Sequence, residues 1–334
     1  MIEPVSSWKN PEQHLEKLLT TPWYHALNKV FSNILSLTHD FYKTEKITPT
    51  IFPITTGSIS SPFGLGSDSL PVKINIKNNE MYLADSMQFS LEIATRLNEY
   101  GAYYIMPSFR GEDMNERHLN EFVHSEVEIK GTLDDIMALA ERYVKFLIRG
   151  LKETCADEIV AVCGTTEHLD KALNRPFHKI RFDEAMRELA NEPKAFKELA
   201  DGLYAITSYG ERILIDKYGD FTWITHMPYK SVPFYQAREV GTDFSMTGDL
   251  LAGIGETLGC GQRVLTTQDA ITSLDDHNVD KAGYQWYLDM RDIQLVQTSG
   301  FGMGLERFIL WLFKHNDIRD CTLLLRNHTR VVFP

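Results

Sequence analysis

Residues 109–122 read F-R-G-E-D-M-N-E-R-H-L-N-E-F, from Phe109 to Phe122. Apolar stretches flank this polar run, residues 103–109 before it and 122–129 after it. In the second, Phe122, His124, Glu126 and Glu128 alternate with Val123, Ser125, Val127 and Ile129. A period of two is what a strand with two unlike faces requires, so the segment is predicted to be a hairpin with a long polar loop. Two guanidiniums, a carboxylate, an imidazole and an aromatic ring then meet where the chain turns back. Arginine forks match phosphate oxygens in geometry, and the Phe122 ring suits stacking on a flat base. Taken alone, the run reads equally well as a solvated loop laced with salt bridges.

Working outward, residues 11–45 carry Leu15, Leu18, Leu19, Trp23, Leu27, Val30, Phe31, Ile34 and Leu35 at helical spacing, which predicts two helices broken near Pro22. Residues 47–54 read as a strand running into a Gly-, Ser- and Pro-rich mobile loop at 55–69, a length that often serves function. Residues 81–84 read as a short strand, 86–99 as a helix and 103–109 as a strand. Residues 132–155 form a strong amphipathic helix with acids at its start. Shorter helices broken at Pro193 are expected over 183–202, strands over 221–264 and a helix over 282–292. A Gly-rich entry at 300–304 leads into an apolar helix at 305–314. The sum is an α+β fold, a mostly antiparallel sheet with helices packed against it.

Of the 334 residues 43% are hydrophobic and 24% charged, so one substantial core forms without staples. The four cysteines, Cys155, Cys163, Cys260 and Cys321, show no C-x-x-C pairing and read as free buried thiols rather than zinc ligands. No apolar stretch reaches the roughly 20 residues of a membrane span, and Glu3 interrupts any signal core, which predicts a cytoplasmic protein with no membrane partner. A net charge of −12 argues against a dedicated nucleic-acid-binding module, and leaves a local basic patch possible in a nucleotide-using enzyme. His124, His226 and His277 read as satisfied core or surface groups. Glu126 and Glu128 share a face with Phe122, either lining a site or bridged to arginine.

The second constellation is G-F-G-M-G-L-E-R at 300–307. Glycines at alternate positions let a ligand approach the backbone at a helix start, where the dipole favours an anion, and Arg307 lies in the first turn or so. Together with the 109–122 run it resembles the paired ATP-binding motifs 2 and 3 of class II aminoacyl-tRNA synthetases, in the aspartyl and asparaginyl subgroup. Further matches are D-L-L-A-G-I-G-E-T-L-G-C-G-Q-R at 249–263, Y-Q-W-Y-L-D-M-R at 284–291, P-F-Y at 233–235 and H-N-D-I-R-D at 315–320. The resemblance covers residues 45–334 and implies a helical extension at 1–45 before a catalytic domain at 46–334, with a homodimer formed through the weak motif 1 around Pro49. It implies an adenylate-forming ligase using ATP and Mg2+. Arg110 would hold the α-phosphate and the pentacovalent transition state, Glu112 the adenine amino group, and Phe122 and Arg307 the two faces of the ring. Arg117 and His118 would meet the β- and γ-phosphates, and Gly304 would let the nucleotide approach. Asp249 and Glu256 would hold the metal, and Gln88, Tyr235 and Arg263 the amino acid.

Only about 45 residues precede the motif 1 region, where a full member of the subgroup carries an anticodon-reading β-barrel. With P-I-T-T-G-S-I-S-S-P at 53–62 and L-A-D-S-M at 83–87, the chain is similar to the archaeal asparagine synthetase derived from the subgroup. That predicts an amide-forming ligase passing an aspartyl or asparaginyl group from its adenylate to ammonia or another small amine. The alternatives are transfer to a tRNA end and a non-catalytic paralogue. Leu91 stands where aspartate-using relatives have a lysine, and Q-F-S-L-E at 88–92 resembles the asparaginyl enzymes, which pulls the substrate towards asparagine. The loop at 55–69 carries Asp68 as its only acid, where the family has a glutamate for the substrate's α-ammonium.

Overall fold

The computed structural model describes residues 1–60, 69–200 and 202–326. The chain opens with α1 (His14–Thr20) and α2 (Pro22–Thr44), parted at Pro22, whose fixed φ and missing N–H suit a first helical position and no later one. Four short strands follow: β1 (Thr48–Pro49), β2 (Thr55–Thr56), β3 (Val72–Ile76) and β4 (Asn79–Leu83). Then come α3 (Gln88–Leu97) and the hairpin strands β5 (Gly101–Phe109) and β6 (Glu121–Lys130). Next are α4 (Leu133–Thr154), α5 (Ala156–Cys163), α6 (Glu167–Asn174), β7 (Lys179–Arg181) and α7 (Phe182–Glu188). After them run β8 (Phe196–Ala200), β9 (Leu203–Ile206), α8 (Ser208–Tyr218) and β10 (Thr222–Thr225). The chain continues through β11 (Thr247–Ala252), β12 (Gly255–Gln262), α9 (Thr267–Asp276), α10 (Gln285–Ile293), β13 (Thr298–Gly304) and α11 (Leu305–Leu312).

Eight strands form one sheet in the order β1-β5-β6-β13-β12-β11-β10-β7. Its edge pairs β1/β5 and β10/β7 are parallel and every inner pair is antiparallel. One face is covered by α2, α4 and α11. There Tyr42 stacks on Tyr103 with centroids 4.2 Å apart, and Tyr143 stacks on Phe301 at 5.7 Å. Tyr143 hydrogen-bonds both Ser125 at 3.0 Å and Thr38 at 2.8 Å, which satisfies its hydroxyl in the core. Gly150 weakens α4 intrinsically, but a Cβ there would stand 2.3 Å from Leu37. The glycine lets α2 and α4 close together. The opposite face of the sheet is left for the functional site.

The α+β expectation holds, and two local ones change. The stretch after Pro193 is the hairpin β8–β9 and not a further helix; Gly202 at φ 78° makes its turn and Phe196 pairs with Ile206. The run 300–304, read as a Gly-rich entry to the helix that follows, belongs to a central strand, β13, because β6 and β12 saturate its backbone on both sides. Strand β3, absent from the sequence reading, pairs with β4 in a separate small sheet. Residues 61–68 of the predicted mobile loop, with Asp68, lie outside the described residues. Its first part is tied down: Ser58 Oγ donates to Gly283 O at 2.8 Å, Tyr284 to Ile59 O at 3.0 Å, and Ser60 to Asp85 through N and Oγ.

Candidate active site

The register of the sheet explains how the site forms. β6 places His124, Glu126 and Glu128 opposite Gly304, Gly302 and Gly300 of β13, so three polar side chains lie over three residues that have none. A Cβ at Gly300 would stand 1.9 Å from Glu128 Oε2 and 2.7 Å from Arg263 Nη2, and one at Gly302 3.1 Å from Glu126 Oε1. On β12, Gly261 would collide with Gln236 at 2.1 Å, and Gly259 lies beneath Glu256 and Asp249. The glycines thus leave room on the sheet for the charged and polar side chains that make the floor of the site. Asp249 is directly opposite Gly259, and a register shift after Leu250 swaps the parity of β12, turning Glu256 to the same face.

A cavity of about 670 Å³ lies over this floor, lined at one end by Ser60, Ser86, Gln88, Leu91, Tyr235 and Arg263, and at the other by Arg110, Arg117, Glu256 and Arg307. Nearly all the residues singled out in the sequence meet here or in the adjoining recess that holds Glu112, His118, Phe122 and Gly304.

In the polar loop, Asn120 Nδ2 ties the backbone carbonyls of Arg110 (3.0 Å) and Glu112 (2.6 Å), fixing their direction. The Arg110 guanidinium lies 5.5 Å from the Phe122 ring, and its Nε is buried without a partner among the described residues. Asn115 Oδ1 accepts from Arg117 N at 2.8 Å and His118 N at 3.1 Å, an Asx turn that presents both side chains. Burial, and then the cations Arg307, Arg117 and Arg110, push the His118 imidazole down to about 4, so it is neutral at pH 7. Arg307 is anchored by Nη1 on Glu256 O at 2.7 Å. Glu306 turns away and accepts Val123 N at 3.1 Å, which joins α11 to β6.

At the other end, Arg263 grips Glu128 through Nε at 3.1 Å and Nη2 at 2.9 Å, and Gln236 at 2.9 Å. Burial, with Glu92 nearby, leaves the Glu128 carboxyl raised above its ordinary range, and the Arg263 guanidinium offsets only part of the rise. Burial works on Glu126 too, but His124, at 2.8 Å, with Ser86 (2.6 Å) and Tyr104, outweighs it and holds this carboxyl below its usual range. His124 is satisfied as expected, yet it lines the cavity. Gln88 is oriented by Glu92 at 3.2 Å, itself held by Arg291 at 3.0 Å and Tyr287 at 3.0 Å. Leu91 is fully buried against the same wall.

Asp249 is raised well above its ordinary range by burial and then by the charges of Glu256 and Glu211. A divalent cation would relieve that repulsion, so this pair fits one. Among the described residues no cluster of three or more His, Cys, Asp or Glu side chains is placed to hold a metal, and the four cysteines are free. Sequence reasoning missed Glu211 and Gln236, which act across fold-made contacts with no local pattern, and Asn115, whose turn lies within the 109–122 run itself. No helix in the described residues is long and apolar enough to cross a membrane.

A probable cytoplasmic asparagine–tRNA ligase of Encephalitozoon cuniculi is 30% identical over 319 residues, covering 90% of this chain and 67% of that protein. The asparagine–tRNA ligase of Thermoplasma acidophilum is 31% identical over 253 residues, 74% of this chain and 58% of that one. Among solved structures, asparaginyl-tRNA synthetase from Pyrococcus horikoshii complexed with asparaginyl-adenylate superposes with a TM-score of 0.87 at 26% identity, over 96% of this chain and 72% of that one. With residues 12–328 matching the family described as tRNA synthetases class II (D, K and N), the chain belongs to that family of adenylate-forming ligases.

Proposed function

We propose that the protein activates asparagine with ATP, forming asparaginyl adenylate and pyrophosphate, and passes the acyl group to the 3′ end of a tRNA. The observation that carries the choice of amino acid is the charge balance at the Arg263 end. Glu128 already offsets the one guanidinium there, Glu126 adds a second carboxylate held ionised, and Leu91 brings no compensating cation. A carboxamide fits: its oxygen accepts from Arg263 and its N–H donates to the acceptor capacity left on Glu126. An aspartate carboxylate at about 4 Å from Glu126 would be repelled by about 4 kcal/mol at an effective dielectric of 20.

The substrate's α-carboxylate is ionised at pH 7 and needs no base. It attacks the α-phosphorus of ATP; the new O–P bond forms as the bond to the β-phosphate oxygen breaks. Arg110 offsets the charge on the pentacovalent centre, Phe122 and Arg307 sandwich the adenine with Glu112 at its amino group, and Gly304 gives it room. Arg117 and the neutral His118 take the outer phosphates. No side-chain nucleophile takes part, so positioning and electrostatics supply the rate. Asp249 and Glu256 would hold Mg2+, which would supply charge neutralisation of the triphosphate. Gln88 and Tyr235 line the amino-acid end.

For the acceptor, the relatives are tRNA ligases along 90% and 74% of this chain. That supports a tRNA end over the small amine expected from the short stretch before motif 1. The test is pyrophosphate exchange with asparagine and aspartate, followed by transfer assays. Asparagine-dependent exchange and an alkali-labile ester on tRNA are expected, with Arg110→Ala lowering exchange about 10²–10³-fold. Exchange with aspartate alone would overturn the amino-acid assignment. An AMP-releasing amide product with no ester would overturn the acceptor.

A further inference from the structure

Glu211 sits in the first turn of α8, 94 residues after Arg117 in sequence, yet its Oε2 accepts from Arg117 Nη2 at 2.8 Å. Both side chains are mostly buried, 20% exposed for Arg117 and 16% for Glu211. The fold builds this contact deliberately from two sides. Gly210 brings the start of α8 against the β8–β9 hairpin so tightly that a Cβ there would stand 2.3 Å from Ala195 O. Thr207 fastens the same turn through its N–H to Ala195 O at 2.8 Å. At Gly255 a Cβ would stand 2.2 Å from Glu211 Oε2 and 2.6 Å from Arg117 Nη2, so no other residue at 255 is compatible with the pair. Glu211 thereby joins Asp249 and Glu256 as a third carboxyl group at the phosphate end of the cavity, and all three line it.

A carboxylate offers an arginine the same charge and paired oxygens that a phosphate does. We propose that Glu211 is a tethered stand-in for the terminal phosphates of ATP, which keeps Arg117 aimed into the site until nucleotide arrives and then competes with it for that guanidinium. This rests on the reading above that Arg117 binds the outer phosphates. The sign of the effect follows from magnitudes. Once displaced, the Glu211 carboxylate faces a triphosphate across a few ångströms of poorly screened space, and that repulsion exceeds the side-chain freedom Arg117 would regain without its partner. Glu211 therefore weakens binding of ATP, and weakens pyrophosphate equally, favouring its departure after adenylation. AMP, which has no outer phosphates, is indifferent to it.

The experiment measures equilibrium dissociation constants of ATP, pyrophosphate and AMP by calorimetry for the full chain. The variants are Glu211→Gln, Glu211→Asp, Arg117→Ala and the double variant Glu211→Gln/Arg117→Ala, with and without Mg2+. Glu211→Gln is expected to tighten ATP and pyrophosphate roughly tenfold, the scale of one charge-assisted contact, with AMP unchanged. The Asp variant, which keeps the charge, should stay near the parent, and the gain from Gln should shrink once Arg117 is absent. Thermal melts check that each variant is folded; should Glu211→Gln not fold, Glu211→Ala, which also removes the charge, carries the same comparison of ATP, pyrophosphate and AMP. Weaker ATP and AMP together would mean that Glu211 only supports the fold, and weaker ATP only with Mg2+ would make it a metal carboxylate; either overturns the stand-in. Unchanged ATP affinity in Glu211→Gln does so as well. Arg117→Ala binding ATP as the parent does would instead remove the phosphate role of Arg117 itself, a separate failure that takes the stand-in with it.

Discussion

Glu126 and Glu306 are both nearly inaccessible glutamates, yet their surroundings push them opposite ways. Glu306 has only Val123 N and its own backbone to favour its charge, and burial lifts it to about 7. Its folded pKa lies above its unfolded one, so the folded protein holds the extra proton and stability is lost as pH rises from about 4.5 through 7, by about 3 kcal/mol in all. Glu306→Gln keeps an acceptor for Val123 N without the charge. Urea midpoints should show the variant gaining on the parent at pH 8 and not at pH 5; parallel curves would contradict this. Glu126, held ionised by His124 and Ser86, is the residue whose charge selects the amide in the proposed reaction. Glu126→Gln is expected to cut kcat/KM for asparagine in pyrophosphate exchange roughly ten- to hundredfold, the size of one hydrogen bond to a charged group, while aspartate loses less or gains. An unchanged ratio of the two amino acids would rule this out.

Strand β13 shows what elements add that residues alone do not. Gly300→Ala places a methyl within 1.9 Å of Glu128, and must push that carboxylate off Arg263. Breaking a buried pair costs about 3–5 kcal/mol, so the variant should melt far below the parent or fail to fold, whereas Gly241→Ala, with open space around it and a φ of 77°, should lose only about 1–2 kcal/mol. The two arginine-bearing motifs and the β5–β6 hairpin were legible in the sequence, because alternation and glycine spacing are local signals. The same glycines read as a helix entry and not as a strand because the sequence does not display the carboxylates of β6 that lie across them. Likewise 196–206 has no strong period, and only Gly202 and the cross-strand pairing of Phe196 with Ile206 make it a hairpin. Glu211 could not be found at all, since its partner is 94 residues away.

At the scale of the whole molecule, Asp320 fastens the first residues of the chain to the stretch that follows α11. Its carboxylate accepts from Ser6 at 3.1 Å, Trp8 at 2.8 Å and His315 at 2.9 Å, and its carbonyl from Trp23 at 2.9 Å. Arg319 stacks on Trp8 at 3.7 Å. Asp320→Ala strands three donors and should cost about 3 kcal/mol or more, with hydrogen exchange rising first over residues 1–13. Uniform exchange along the chain would show instead that the terminus is not a separate unit. The helices that follow share one continuous core with α4 and the sheet, so α2 is part of the support under the site.

Glycine main chain under the site constrains how such a protein changes. Main chain cannot swing aside like a rotamer, take up a proton or be exchanged for another chemistry by one codon. Whatever lies on Gly259, Gly300 and Gly302 meets a surface that drift cannot retune, only break. Novelty in the acid accepted under the proposed reaction is thereby confined to Leu91, Glu126 and Gln88, where one substitution alters charge without disturbing the proposed seat of the nucleotide.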